Sequence, residues 1–275
     1  MSERRSTSNG GGQTTAAAVW AALSGLTVGE AWLRRDEPKP PAMIERFRAA
    51  LTELERGVPF AYAVGRVGFR SLDLNIDRRA LIPRPETEGL VDLALTAGPG
   101  GGGGIAADVG TGCGCIALAL ATEGRFDRVI AVERSPEAVV LARKNAALVQ
   151  PPTPVEVREG DLLGPLGEDG ARYRVIVSNP PYLSAAEYGG LDPAVKQFEP
   201  REALESGPDG LAATRRLLAG AAALLEPGGI LALEIDERRD AAVRALAREC
   251  GWARITIHND LFGRPRYALA FPREG

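Results

Sequence analysis

Residues 105–122 restrict the fold of this chain more than any other stretch. An apolar run, Ile105-Ala106-Ala107-Asp108-Val109, passes through Gly110-Thr111-Gly112-Cys113-Gly114 directly into a helical stretch from Cys115 to Thr122. A strand that turns at glycines into a helix does not close a hairpin; the helix carries the chain back to a parallel neighbour. The alternation continues, with strands predicted at Arg128 to Glu133, Val155 to Arg158, Tyr173 to Ser178 and Ile230 to Ile235. Helices are predicted at Pro136 to Leu148, Asp209 to Leu225 and Arg238 to Cys250, and closing strands at Ala253 to Ile257 and Tyr267 to Phe271. Because the strands are apolar almost without interruption, both sheet faces must be covered. The expected class is α/β, a Rossmann-like domain with a mostly parallel seven-stranded sheet.

The chain's 275 residues exceed one ordinary domain and suggest a core with a small appended unit. Residues 1–14 are polar and glycine-rich and read as a disordered lead. Between Ala16 and Gly57, apolar residues recur at helical spacing and Pro38, Pro40 and Pro41 interrupt them, so 15–65 is read as a small helical module. Val67 to Ile76 alternates as a short hairpin with Arg70-Ser71 near its turn, placing a linking hairpin at 66–79 and the main domain at 80–275. Gly100 to Gly104 forms a flexible joint ahead of the first core strand.

A formal charge of -3 gives no global electrostatic footprint for nucleic acid, and no stable nucleic-acid binding is expected. No apolar run approaches the ~18 residues that span a bilayer, so no membrane role is expected. Three cysteines make no disulfide framework and fit a reducing cytoplasm, and they offer no metal-ligand spacing. A monomer is the default expectation.

The glycine loop lies where backbone approaches a ligand without intervening side chains. Candidate ligand contacts are Asp108, Gly110, Thr111, Gly112, Cys113 and Gly114. Glu133 ends the second strand, placed to accept from both hydroxyls of a ribose, while Asp161 and Leu162 follow the third, placed for an adenine amino group and ring. The loop's Gly-Thr-Gly-Cys-Gly differs from the Gly-x-Gly-x-x-Gly of dinucleotide sites, and Asp108 would repel a pyrophosphate. S-adenosylmethionine, which has no phosphate and carries an ammonium group, fits better.

Ser178-Asn179-Pro180-Pro181-Tyr182 follows the fourth strand at the carboxyl edge of the sheet. As structure alone it is a good turn. As chemistry it suits a planar nitrogen, whose delocalised lone pair makes it a poor nucleophile that must be held in line. The Asn179 side-chain oxygen and the Pro180 carbonyl are candidate acceptors for its two N–H groups, Pro181 stiffens the turn, and Tyr182 supplies a flat wall. No general base is needed before attack, and the single histidine, His258, is read as structural.

Leu81-Ile82-Pro83-Arg84-Pro85-Glu86-Thr87-Glu88, the Asp108 to Cys115 loop, Asn179 to Tyr182, Phe198-Glu199-Pro200-Arg201 and Gly207-Pro208-Asp209-Gly210 together resemble the HemK/PrmC methyltransferases. Glu133 departs from that family's more typical aspartate, Cys113 from a frequent serine, and the helical module 15–65, which the resemblance implies is a substrate-recognition module, is shorter than the family's usual N-terminal domain. The resemblance implies a class I S-adenosylmethionine-dependent domain that methylates the side-chain amide nitrogen (N5) of glutamine in the Gly-Gly-Gln motif of class 1 peptide-chain release factors. It also implies that Arg84, Pro85 and Thr87 border the channel. Asn-Pro-Pro-Tyr is shared with enzymes acting on exocyclic amines of DNA or rRNA and on glutamine of a ribosomal protein, which stand as alternatives, as does a binding module without activity.

Overall fold

The computed structural model describes residues 9–97, 102–168 and 170–273, and the chain divides into two compact units, Met1–Arg66 and Val67–Gly275. The first unit holds α1 (Asn9–Ser24), α2 (Val28–Leu33), α3 (Pro41–Glu55) and α4 (Phe60–Val64). Thr27 starts α2 with a capping box, its hydroxyl accepting from Glu30 N while the Glu30 carboxylate accepts from Thr27 N. Val19, Ala50 and Val64 form its small core, against which Leu23, Phe47, Leu51 and Leu54 pack. Part of the expected lead is therefore helical: 9–14 belong to α1, because the alanine-rich segment behind them nucleates a helix to which each further residue adds one bond. Residues 1–8 of that lead lie outside the described residues, as do Gly100 and Gly101 of the expected glycine joint.

The hairpin consists of β1 (Arg66–Phe69) and β2 (Leu72–Asn75), with Arg70 at φ 53° in the turn. It is followed by α5 (Pro85–Ala97), β3 (Ile105–Val109), α6 (Cys115–Glu123), β4 (Arg128–Glu133), α7 (Pro136–Val149), β5 (Val155–Glu159) and β6 (Tyr173–Ser178). Then come α8 (Ala185–Gly189), α9 (Pro193–Phe198), α10 (Ala212–Gly220), β7 (Leu225–Glu234), α11 (Asp240–Glu249), β8 (Arg254–Asn259) and β9 (Pro265–Phe271). The seven-stranded sheet runs β5-β4-β3-β6-β7-β9-β8, with β3 to β7 parallel and β9 antiparallel to both its neighbours. Strand order reverses between β3 and β6, and the crevice outside their carboxyl ends is where such sheets take ligands.

Two stretches differ from expectation. The helix expected over Asp209 to Leu225 is confined to α10 and a short 3-10 turn at 221–224, and β7 begins at Leu225 rather than Ile230. The register slips between Tyr173 and Val175, where Glu226 to Gly229 bulge outward. At Gly229 a Cβ would stand 2.8 Å from the Tyr173 carbonyl oxygen, so only glycine lets the strands meet. The second difference is α8 and α9, which are too short to show apolar periodicity, although Ser184 and Glu187 carry the capping-box spacing that starts α8. Among the described residues no helix is long and apolar enough to cross a membrane.

Candidate active site

The glycine loop is tied to the sheet before any ligand arrives. Gly110 N and Thr111 N both donate to the Val132 carbonyl, at 2.8 and 2.9 Å. Gly110 and Gly112 take left-handed backbone conformations, φ 76° and 56°, that side chains disfavour. Beneath the loop Asp108 is fully buried; its Oδ2 accepts from Thr111 Oγ1 at 2.5 Å and from Ala117 N, in the first turn of α6, at 3.0 Å. Burial pushes this carboxyl up to about 7 against those hydrogen bonds, and its Oδ1 has no partner among the described residues. Buried Asn145 on α7 completes the support. Its Oδ1 accepts from Asn75 N and Nδ2, and its Nδ2 donates to the carbonyls of Asn75 and Cys113.

Across the crevice Glu133 turns back to the loop: Oε2 accepts from Gly112 N and Oε1 from Ser135 N, both at 2.9 Å. Asp161 pairs with Arg216 on α10 at 2.8 Å, and Leu162 adopts φ 50° beside it.

At the other end, Asn179 Nδ2 donates to Thr87 Oγ1 at 3.1 Å, and Thr87 Oγ1 donates to Glu234 Oε2 at 2.8 Å. With the nitrogen so engaged, the carbonyl oxygen is the end Asn179 offers to a ligand. Burial pushes Glu234 up to about 7, opposed by the bond from Thr87. Arg84 Nη2 donates to both Glu199 oxygens at 2.7 Å, tying the segment before α5 to the end of α9. Gly210, at φ 72°, packs so closely that a Cβ would lie 2.4 Å from the Tyr182 carbonyl oxygen, and Leu183 N bonds Leu204 O at 2.9 Å. The segment after the tetrapeptide is thereby clamped to 204–210.

A cavity of about 500 Å³ joins these parts, within the ~300–1,000 Å³ usual for small-molecule sites. Of the residues expected to bind, Gly110, Thr111, Gly112, Glu133, Asp161, Leu162, Asn179, Pro181, Arg84 and Thr87 line it. Asp108, Cys113, Gly114, Pro180, Tyr182 and Pro85 do not. Asp108 is spent on the loop and the start of α6, Cys113 is buried with its carbonyl on Asn145, and Gly114 is the left-handed N-cap of α6. Pro180 is buried, and Tyr182 is largely enclosed, so burial pushes its phenol up to about 12. Pro85 begins α5. Sequence reasoning did not anticipate Cys115, Ser135 or the rim from Pro200 to Gly207 as lining. Nor did it find Glu234 and Asn145, which act from behind it and carry no motif.

The lining suits S-adenosylmethionine. Gly112 N, a donor that a pyrophosphate would need, is taken by Glu133, and the carboxylate itself repels phosphate. Arg84 and Arg216 are paired with Glu199 and Asp161. The crevice then offers the carboxylates of Glu133 and Asp161 and the side chain of Leu162 beside the glycine loop, groups that match the hydroxyls, amino group and ring of a nucleoside.

A family model described as methyltransferase small domain matches residues 95–191. Release factor glutamine methyltransferase of Moorella thermoacetica is 41% identical over 88% of this chain and 84% of its own. The enzyme of the same name from Deinococcus radiodurans is 43% identical over 78% and 74%. Among solved structures, a methyltransferase from Pyrococcus furiosus superposes with a TM-score of 0.55 at 22% identity, covering 82% of this chain and 96% of that one. A Thermus thermophilus 16S rRNA methyltransferase bound to AdoMet and guanosine gives 0.53 at 20%, covering 76% and 50%. The sheet order, the glycine loop answered by Glu133 and the tetrapeptide at the switch point define a class I S-adenosylmethionine-dependent methyltransferase. Within that class, the chain belongs to the release factor glutamine methyltransferase family.

Proposed function

We propose that this enzyme transfers a methyl group from S-adenosylmethionine to the side-chain amide nitrogen (N5) of the glutamine in the Gly-Gly-Gln motif of class 1 release factors, working in the cytoplasm as a monomer. The observation that carries the proposal is the orientation of Asn179, whose nitrogen is held by Thr87 and whose oxygen is left for an N–H donor. Bound S-adenosylmethionine supplies an electrophilic methyl on a positively charged sulfur. Asn179 Oδ1 accepts an N–H of the substrate amide and strengthens that bond as positive charge grows on nitrogen, favouring the transition state over the ground state. Pro181 stiffens the turn that fixes Asn179. The Pro180 carbonyl, fixed by the rigid Pro-Pro turn, is the acceptor proposed for the second N–H. Proximity contributes most, an effect that reaches roughly 7–11 kcal/mol in favourable systems.

The test is incubation with a release factor and methyl-labelled cofactor, beside DNA and rRNA. One label on the Gly-Gly-Gln glutamine is expected, lost when that glutamine is replaced by alanine. Label retained after the replacement, or carried by nucleic acid instead, contradicts the proposal.

A further inference from the structure

Behind the acceptor end of the cavity lies a carboxylate that the transfer reaction does not touch. Glu234 ends β7, is 2% exposed and does not line the cavity. So enclosed a group is costly unless it is bonded, and its bond goes to the residue that holds Asn179. Thr87 Oγ1 donates to Glu234 Oε2 at 2.8 Å and accepts from Asn179 Nδ2 at 3.1 Å.

A threonine hydroxyl has one proton. Once that proton points at Glu234, Thr87 shows Asn179 only lone pairs, which repel an amide oxygen and bind an amide NH₂. The two ends of a carboxamide have nearly the same shape, so packing does not choose between them and hydrogen bonds must. We propose that Glu234, acting through Thr87, is a positioning residue that sets the polarity of the Asn179 amide and keeps Oδ1 facing the methyl acceptor. This deepens the amide-nitrogen reading and rests on it. In the flipped arrangement Nδ2 would meet an acceptor nitrogen that itself presents N–H groups, donor against donor. The relay joins α5, the loop after β6 and the end of β7, so it forms only in the assembled fold.

The test compares two pairs of variants, Glu234→Gln with Glu234→Met and Thr87→Ser with Thr87→Val. For each, kcat and KM for release factor, Kd for S-adenosylmethionine, Tm, and solvent exchange of the Asn179 side-chain NH₂ in selectively ¹⁵N-labelled protein are measured. Gln at 234 keeps an acceptor and Ser at 87 keeps a hydroxyl, so both stay within about 3-fold of wild type, whereas Met and Val lower kcat by ~10- to 100-fold with KM and Kd within about 2-fold. Amide exchange rises in Thr87→Val and not in Thr87→Ser. The proposal is overturned if the conservative member of either pair is as impaired as its partner, if the loss of kcat tracks Tm, or if amide exchange is unchanged in Thr87→Val. Should Glu234→Met fail to fold, the Thr87 pair decides. A wild-type enzyme that labels no release factor sinks the functional reading, whereas the exchange comparison, which needs no substrate, still judges the relay.

Discussion

The two ends of the cavity are built in different ways. At the cofactor end most of the loop's contacts are local: Thr111 reaches Asp108 three residues away, Ala117 nine, and Gly112 meets Glu133 across 21. One β3-α6-β4 unit makes these, and Asn145 braces the loop from outside that unit, reaching Cys113 across 32 residues and Asn75 across 70. At the acceptor end Asn179 meets Thr87 across 92 residues, Arg84 meets Glu199 across 115, and Thr87 meets Glu234 across 147. The cofactor loop is thus held largely by one local unit, while the Asn179 end is held mainly by contacts from distant parts of the domain.

That contrast breaks or holds under substitution. The largest effect belongs to Asn179→Ala, expected to lower kcat ~10²- to 10³-fold, as loss of a transition-state hydrogen bond does elsewhere, while Kd for S-adenosylmethionine moves little. Equal losses in both, by single-turnover kinetics and calorimetry, would mean the two ends are one unit. Glu133→Ala is the converse: Kd for the cofactor rises ~10- to 100-fold, the range for hydrogen bonds to a charged group, and kcat at saturation is largely kept.

Asp108→Asn probes the local frame through pH. Because burial raises the folded carboxyl from 3.8 to about 7, the folded state holds a proton that the unfolded state has released. The wild type therefore loses stability as pH rises from about 4 through about 7. An asparagine does not titrate, so urea unfolding should show its stability relative to wild type improving by roughly 2–3 kcal/mol between pH 5 and pH 8. A gap independent of pH would contradict the assignment. The smallest effect is expected for Arg216→Ala, which removes a half-exposed partner of Asp161 and should cost under ~1 kcal/mol of stability and little cofactor affinity. A large affinity loss there would show that the cofactor end also leans on a distant element.

The same division explains what was legible in the sequence. The strands from Ile105 to Ser178, the glycine loop and Glu133 could be read because each is set by its neighbours in the chain. Asp108 was expected to face the ligand and faces inward, since the first turn of α6 supplies a backbone N–H that only the structure places beside it. Arg84 and Thr87 came by resemblance alone, for nothing local marks them. Glu234 reads as the polar end of an apolar strand, and Asn145 as one more polar residue on a helix. Their roles exist only through partners brought from far along the chain. The extra length of β7 was missed because Pro227-Gly228-Gly229 reads as a break, whereas pairing with β6 absorbs it as a bulge.

The account stands or falls on which atom receives the methyl group. Tandem mass spectrometry of a release factor after incubation with S-adenosylmethionine, using the wild type and Asn179→Ala in parallel, measures that directly. The expected result is a single added methyl on the glutamine side-chain amide with the wild type and almost none with the variant. A methyl on any other residue, or equal methylation by the two proteins, would contradict it.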